Sequence, residues 1–308
     1  MKRRVLAIVG PTAVGKTALT LRLAEKLGGE VISADSMQVY RGMDVGTAKP
    51  TPAERTRVPH HLIDVCEPGE AFSAADYQRL ARAAVEDIAG RGRLAIFSGG
   101  TGMYIRAAID DYNFITINND WRVRDELRQE AREAGLSQLY ARLADVDPQV
   151  AARVHQNDER RIVRALEVFA TTGRPLSYWE AQKDARQAIY HAVFIGLRRP
   201  RAELYARIDR RVDAMVAMGL VDEVRALLHR GMGFVAHQAL GYKEVIPFLE
   251  GRCTLGEMKE NIKRETRRYA KRQLTWFRGD ARVQWIDVSD ETEAEAAIMG
   301  ILAHPFGL

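Results

Sequence analysis

The sequence predicts an α/β protein with a doubly wound parallel sheet and a mostly helical insertion. Three observations predict this fold class: short apolar runs rich in Val and Ile, helical stretches that alternate with the early runs, and a long middle segment without any such run. The 308 residues are 46% hydrophobic, which is enough apolar material for a large core. The chain is therefore expected to fold as one large domain that carries an insertion.

The apolar runs are short and bounded by turn residues, which is typical of buried parallel strands. They lie, in chain order, at Val5 to Gly10, Glu30 to Asp35, His61 to Val65, Leu94 to Gly100, His191 to Leu197 and Val283 to Val288.

Helix signals separate these runs. Residues Thr17 to Leu27 form a helical stretch that ends at a pair of glycines, and Ser73 with Asp76 has the capping-box spacing of a helix that stops at Gly90. Pro200 is predicted to be the first residue of a later helix, a position that proline favours. The alternation of strands and helices predicts the two helix layers of the doubly wound sheet.

The strand pattern stops between Asp120 and Lys183, where three capped helical stretches follow one another. We predict a core of residues 1–110 and 190–308, and a helical insertion domain of residues 111–189. The segment 110–120 has little helical pattern and is predicted to be a hinge.

Composition bounds the classes of function. Cys66 and Cys253 are far apart in the chain and predict neither a disulfide framework nor a thiolate metal cage, which fits a cytoplasmic protein. No stretch is apolar and long enough to cross a membrane, so no membrane partner is expected. The net charge of +5 permits an anionic partner.

The loop after the first strand has a phosphate-binding sequence. It reads Gly10-Pro11-Thr12-Ala13-Val14-Gly15-Lys16-Thr17 and matches G-x-x-x-x-G-K-[ST] between a strand and a helix, so the fold is expected to be P-loop NTPase-like. Backbone N–H groups and Lys16 favour anionic oxygens, and the Thr17 hydroxyl can bind Mg²⁺. The alternative is a Gly-rich turn without a ligand.

The fourth strand lacks the acidic residue with which a nucleotide triphosphatase helps to hold its metal. It runs instead into Ser98-Gly99-Gly100-Thr101-Gly102. This departure argues against ATP or GTP hydrolysis.

Other strand ends supply polar side chains to the same edge of the sheet. Asp35 follows the second strand and is a candidate proton acceptor, or alternatively a loop cap. Thr101 can hydrogen-bond a leaving oxygen. Lys49 is expected to be a solvated loop charge, and His60 and His61 are interpreted as structural because no further metal ligand lies at a suitable spacing.

Seven blocks in order resemble those of the bacterial tRNA dimethylallyltransferases, also called tRNA isopentenyltransferases. They are GPTAVGKT, DSMQVYRGMDVGTAKP, HHLID, GGTGMY, NDERRIVRALEVFATTG, QALGYKEV and TRRYAKRQLTWFR, and they span the chain from its start to about Arg278. The resemblance implies transfer of a dimethylallyl group from dimethylallyl diphosphate to N6 of the adenosine 3′ of the anticodon, in tRNAs reading codons that begin with U.

The resemblance also implies roles for the residues of the phosphate site. Residues 10–17 would hold the donor diphosphate, with Mg²⁺ as cofactor on Thr17. Asp35 would act as base, and Thr101, Lys16 and Arg211 would stabilise the leaving group. Arg207 is an equally placed alternative to Arg211, one helical turn away.

Further blocks match tRNA-contacting segments of the family. The implied RNA-binding residues are Asp35, Ser36, Met37, Gln38, Thr101, Arg124 (with Val123 as an equally near alternative), Glu159, Arg160, Arg161, Ile162, Val163, Gly241, Tyr242, Lys243, Lys271, Arg272, Gln273, Trp276 and Arg278. The last five lie on a basic helix that Thr254 and Glu257 open, and an excess of Lys and Arg is what RNA phosphates require. A solvated helix face is the alternative for that stretch.

The expected partners are the anticodon stem-loop of tRNA and dimethylallyl diphosphate, bound by a monomer. Three other functions remain open from the residues alone. A small-molecule P-loop kinase shares the loop and the strand-end aspartate, an RNA-binding protein can use the loop as a nucleotide switch, and a related enzyme prenylates free AMP or ADP.

Overall fold

The computed structural model describes residues 2–112, 114, 121–181 and 187–306. In these ranges the strands are β1 (Arg4–Val9), β2 (Gly29–Ser33), β3 (His60–His61), β4 (Leu94–Gly99), β5 (His191–Arg198) and β6 (Val283–Asp287). The first helices are α1 (Lys16–Leu27), α2 (Pro52–Arg57), α3 (Ala74–Gly90), α4 (Gly102–Ile109), α5 (Trp121–Glu133), α6 (Leu136–Val146), α7 (Pro148–Ala151) and α8 (Glu159–Thr172). The later ones are α9 (Leu176–Ala181), α10 (Arg201–Ala217), α11 (Leu220–His229), α12 (Phe234–His237), α13 (Tyr242–Leu249), α14 (Leu255–Arg278) and α15 (Glu291–Phe306).

The six strands form one parallel sheet in the order β3-β2-β4-β1-β5-β6. Side chains of β1 alternate between two cores, because successive residues of a strand point to opposite faces. Val5, Ala7 and Val9 belong to one buried cluster, and Leu6 and Ile8 to the other. The predicted doubly wound α/β fold is confirmed.

The chain divides into two compact units. One comprises Met1–Asp110 and Ala188–Leu308 and contains the sheet, and the other is Asp111–Gln187. The second unit has a core of its own, formed by residues such as Leu139, Leu143 and Ile162 from its helices.

Two local predictions are corrected. The strand expected at His61 to Val65 is only His60–His61, because Leu62 (φ 61°) and Asp64 (φ 57°) adopt left-handed conformations that a strand does not allow. Pro200 is the residue before α10 rather than its first residue. The hinge predicted for 110–120 falls mostly on residues 113 and 115–120, which lie outside the described residues.

The C-terminal segment completes the sheet unit. Strand β6 pairs with β5, and Ala294, Ile298 and Leu302 of α15 are buried in the same cluster as Leu19 of α1. Among the described residues, no helix has the length and apolar character that a membrane span requires.

Candidate active site

The loop from Gly10 to Gly15 has the backbone of a phosphate cradle. Gly10 (φ 147°), Ala13 (φ 64°) and Gly15 (φ 111°) take conformations with positive φ, which turn the chain sharply between β1 and α1. A methyl group on Gly10 would lie 2.7 Å from the carbonyl oxygen of Leu197, so only glycine fits there beside β5. Helix α1 begins at Lys16 and directs its first N–H groups toward a ligand.

Lys16 lies at the centre of this cradle. Its ammonium group donates to the carbonyl oxygens of Gly10 (2.9 Å) and Pro11 (2.7 Å). Burial, reinforced by the nearby charge of Arg211, lowers the pKa of Lys16 to about 7, while Asp35 opposes the shift. A bound polyanion would favour the charged form again, so the charge of Lys16 depends on occupancy of the site.

Both arginines that the sequence left open reach the site from α10. The Nε group of Arg207 donates to the carbonyl oxygen of Ala13 (2.9 Å), and a guanidinium N–H of Arg211 donates to that of Thr47 (3.4 Å). Burial lowers the pKa of each guanidinium from its ordinary high value. The structure thus places two cations beside the loop instead of one.

Asp35 and Thr101 lie at neighbouring strand ends, as predicted. A carboxylate oxygen of Asp35 accepts the N–H of Met37 (2.9 Å), and the Thr101 hydroxyl oxygen accepts the N–H of Ser36 (3.0 Å). The Thr101 hydroxyl also has a side-chain hydrogen bond with Tyr269, and as a donor it can give its proton to that phenol or to a ligand. The two side chains therefore offer a proton acceptor and a proton donor about the same loop.

A cavity of about 510 Å³ is lined by the phosphate loop, both arginines and Asp35, and it reaches Gly100, the residue before Thr101. Its basic lining residues outnumber its acidic ones, which suits a polyanionic ligand. The lining includes Thr12, Ala13, Gly15, Lys16, Thr17, Ser33, Asp35, Gln38, Thr47, Ala48, Glu54, His60, Gly100, Arg207, Arg210, Arg211, Tyr269 and Gln273.

The wall formed by residues 44–49 is held by charged side chains, of which Lys49 is buried. Lys49 is buried, and its ammonium group pairs with Asp44 (2.7 Å) and Asp64 (2.6 Å), so the expectation of a solvated lysine is wrong. Glu223 of α11 accepts backbone N–H groups of three residues of this wall, at 2.7–3.0 Å, and the hydroxyl of Tyr242.

That wall in turn orients Gln38. The side-chain amide of Gln38 accepts from the Ser33 hydroxyl (2.9 Å) and donates to the carbonyl oxygens of Thr47 (3.3 Å) and Ala48 (3.4 Å). Its orientation is fixed before any ligand enters.

The two histidines have partners inside the protein. His61 bonds to Glu30 (2.7 Å) and His60 to the carbonyl oxygen of Val58 (2.7 Å). The described residues contain no group of three or more His, Cys, Asp or Glu side chains arranged to hold a metal ion.

The residues of the sheet unit that were predicted to contact RNA divide by exposure. Lys243, Lys271, Arg272, Trp276 and Arg278 are exposed. Tyr242 and Gln273 are buried, as is Gly241, so the two side chains are withdrawn from solvent. Ser36 and Met37 are partly exposed beside Asp35.

The same division holds in the helical unit. Glu159, Arg160 and Arg161 are exposed on the first turn of α8, whereas Ile162 and Val163 are buried in its core. Arg124 pairs with the buried Glu167 (2.8 Å). Although burial acts in the opposite direction, hydrogen bonds from Arg124 and Arg164 lower the pKa of Glu167.

Three residues near the cradle were missed from the sequence. Arg199 donates to the carbonyl oxygen of Val14 (2.9 Å), and Arg210 and Tyr269 line the cavity. Arg199 directly follows β5. The ends of parallel strands converge on one crevice, and this rule, which selected Asp35 and Thr101, could also have selected Arg199. Burial raises the pKa of Tyr269 to about 12, which keeps its phenol protonated.

Comparison with known proteins gives consistent results. The sequence profile of the IPP transferase family matches residues 38–280. The tRNA dimethylallyltransferase of Geobacillus thermodenitrificans is 53% identical over 308 residues, covering 100% of this chain and 98% of that protein. That of Carboxydothermus hydrogenoformans is 51% identical over 296 residues, covering 95% and 94%.

Solved structures show the same likeness. A full-length tRNA isopentenylpyrophosphate transferase from Bacillus halodurans has a TM-score of 0.73 and 46% identity, covering 99% of this chain and 97% of that one. A eukaryotic dimethylallyltransferase described as acting on tRNA has a TM-score of 0.82 and 29% identity, covering 97% of this chain and 78% of that one.

Proposed function

The chain belongs to the IPP transferase family and modifies tRNA by dimethylallyl transfer, and we propose that its acceptor is the N6 amine of the adenosine just 3′ of the anticodon. The donor is dimethylallyl diphosphate, and the tRNAs are those reading codons that begin with U. The observation that supports this proposal best is a single cavity that is lined by a phosphate loop, two arginines and the carboxylate of Asp35, and that reaches Gly100, the residue before Thr101.

The reaction needs two kinds of group. The amine nitrogen attacks the first carbon of the allyl chain, the bond from that carbon to the diphosphate oxygen breaks, and the diphosphate leaves with the electron pair. Lys16, the loop N–H groups and Arg207 with Arg211 would stabilise the growing negative charge. The proton lost by the amine would pass to Asp35.

Thr101 would act at the breaking bond. Its oxygen accepts the Ser36 N–H and its side chain also meets the Tyr269 phenol, and its proton would be donated to the departing oxygen when the substrate is bound.

The residues present fit a Mg²⁺ ion that is bound mainly through the substrate. Thr17 lines the cavity at the start of α1, and Mg²⁺ in such sites uses one or two protein oxygens, waters and phosphate oxygens. When bound, the ion would neutralise charge on the diphosphate. The oxygen of Thr17 would hold it.

RNA contact is proposed for the exposed members of the predicted set. On α14 these are Lys271, Arg272, Trp276 and Arg278, and on α8 they are Glu159, Arg160 and Arg161. Cations suit phosphates, and the exposed ring of Trp276 suits base stacking. The adenosine would be turned out of the anticodon stack to reach Asp35. We propose that one monomer acts on one stem-loop.

In the kinase and switch alternatives, the same loop must bind a nucleotide. Purified protein is incubated with Mg²⁺, unmodified tRNA and either dimethylallyl diphosphate or ATP, and the digested RNA is examined by mass spectrometry. One added isoprenoid unit on adenosine, with the diphosphate only, supports the proposal. ATP consumption without that product supports a kinase or a switch.

A second arm locates the acceptor. A synthetic anticodon stem-loop is compared with one in which the adenosine 3′ of the anticodon is replaced by guanosine. Product on the first alone supports the proposed position. Product on both, or on free AMP, would assign another acceptor.

A further inference from the structure

The side chain of Gln273 joins two loops of the site. Its amide oxygen accepts the N–H of Thr12 (2.9 Å), and its amide nitrogen donates to the carbonyl oxygen of Gly100 (3.0 Å). Thr12 belongs to the phosphate loop, and Gly100 directly precedes Thr101. One planar amide therefore spans the gap between the diphosphate cradle and the proposed proton donor.

The contact is close-packed as well as hydrogen-bonded. A methyl group on Gly100 would lie 1.9 Å from the amide nitrogen of Gln273, and one on Gly102 would lie 2.0 Å from the ring of Trp276. Both glycines thus let α14 approach the turn after β4 more closely than any other residue permits. The helix can carry its side chains into the turn only because these positions lack Cβ atoms.

Gln273 points inward from a helix whose neighbouring positions point outward. Its side chain is only 5% exposed, whereas Lys271 and Arg272, the two residues before it, are exposed. The helix is also tied to α10, because Arg267 makes a bidentate ion pair with Asp209. This placement withdraws Gln273 from RNA and gives it a rigid base.

We propose that Gln273 is a positioning residue, which fixes the distance between the phosphate loop and the Thr101 turn. The leaving diphosphate must meet the loop N–H groups and the Thr101 hydroxyl at the same time, and these groups come from separate strands. A misplacement of about 1 Å between them can cost about 100-fold in rate. The amide holds both loops through one acceptor and one donor, and this pair of hydrogen bonds is called the brace below.

The first test replaces the amide by an apolar chain of similar length, Gln273→Met, with Gln284→Met on the exposed side of β6 as control. Steady-state transfer and tRNA binding are both measured. We expect kcat/KM for dimethylallyl diphosphate to fall by about 100-fold, with the Kd of tRNA within about twofold of wild type. The control should match wild type.

Two results would overturn the proposal. Unchanged donor kinetics would show that the brace is dispensable. A large rise in the Kd of tRNA with normal donor kinetics would return Gln273 to the RNA-binding set. Wild-type transfer, measured alongside, tests the proposed function separately.

A second variant remains informative if Gln273→Met fails to fold. In Gln273→Glu a protonated carboxyl can accept from Thr12 and donate to Gly100 like the native amide, whereas the ionised form cannot donate. Burial favours the neutral form. We expect the ratio of variant to wild-type kcat/KM to rise about 10-fold from pH 8 to pH 5.5. A ratio that stays far below one at every pH, although the carboxyl can be protonated, would refute the brace.

Discussion

In the free protein, the Lys16 side chain is only partly protonated near neutral pH. Burial lowers its pKa to about 7, so above neutral pH the free protein holds it largely uncharged. A diphosphate binds the charged form and raises the pKa again, which requires proton uptake. The number of protons that Lys16 takes up when diphosphate binds must therefore increase as the pH rises through its pKa in the free protein.

This linkage can be measured with pyrophosphate as the probe. Titration calorimetry at pH 8 in buffers of different ionisation heats should show about one more proton taken up by wild type than by Lys16→Met. The variant corrects for protonation of pyrophosphate itself. Equal uptake by both proteins would mean that Lys16 is already charged in the free site.

Asp35 is expected to act on the amine and not on RNA binding as a whole. Its carboxylate is fixed by the N–H of Met37 (2.9 Å) in the cavity that holds the phosphate loop. Asp35→Asn keeps the shape and removes the base, so kcat should fall by about 100-fold or more. The Kd of tRNA, measured by filter binding, should stay within about twofold, and a normal kcat would exclude proton transfer to Asp35.

Single residues differed in how well the sequence predicted them. The positions of residues 10–17, Asp35 and Thr101 at one edge of the sheet could be predicted because a motif and the ends of parallel strands are local signals. Lys49 was misjudged because its partners Asp44 and Asp64 surround it only after the loop folds. The burial of Tyr242 and Gln273 likewise depends on neighbours distant in sequence.

Among the elements, the wall of residues 44–49 depends on one carboxylate of α11. Glu223 accepts three backbone N–H groups and the Tyr242 hydroxyl, so its removal leaves four donors without partners. The wall then no longer fixes Gln38 and Arg211 through the carbonyl oxygen of Thr47.

Glu223→Ala should therefore lower both stability and activity. We expect a loss of about 2–4 kcal/mol in the free energy of unfolding and at least about a 10-fold fall in kcat. The neighbouring Asp222→Ala, on an exposed side chain, should change stability by less than about 0.5 kcal/mol. Urea unfolding measures the stability of both variants. Equal losses in the two would contradict the role of Glu223 in holding the wall.

Helices and strands were predicted well where caps and periodicity agree. The boxes at Ser73 and Thr254 both form, and α3 and α14 begin directly after them. The third strand was overextended because its apolar residues continue past the left-handed turn at Leu62. Periodicity reports burial, and a buried loop residue gives the same signal as a strand residue.

At the scale of the whole sheet unit, the C-terminal helix supports the phosphate loop. Arg199 donates to Val14 (2.9 Å), and its guanidinium also contacts Glu291 of α15 (3.5 Å). Glu291 in turn pairs with Arg22 of α1 (3.1 Å). The network joins both sides of the cradle to a helix near the end of the sequence.

Arg199→Met should therefore weaken donor binding, since the loop loses a charged donor. We expect the Kd of pyrophosphate to rise by about 10-fold at low salt. Arg198→Met is the matched control, because it removes the same charge from an exposed side chain one residue earlier. Calorimetry measures the Kd of pyrophosphate for both variants. An equal rise in the two would mean that Arg199 acts only through its net charge.

The brace between Thr12 and Gln273 spans 261 positions of sequence, which bears on how the protein is made. The phosphate loop is synthesised well before Arg199, Arg207 and Gln273, which follow it in the chain. Contacts of such separation carry a large loop-closure entropy and slow folding. In a nascent chain, β1 therefore has no β5 partner until the later strand is made. The phosphate site can bind its donor only after that.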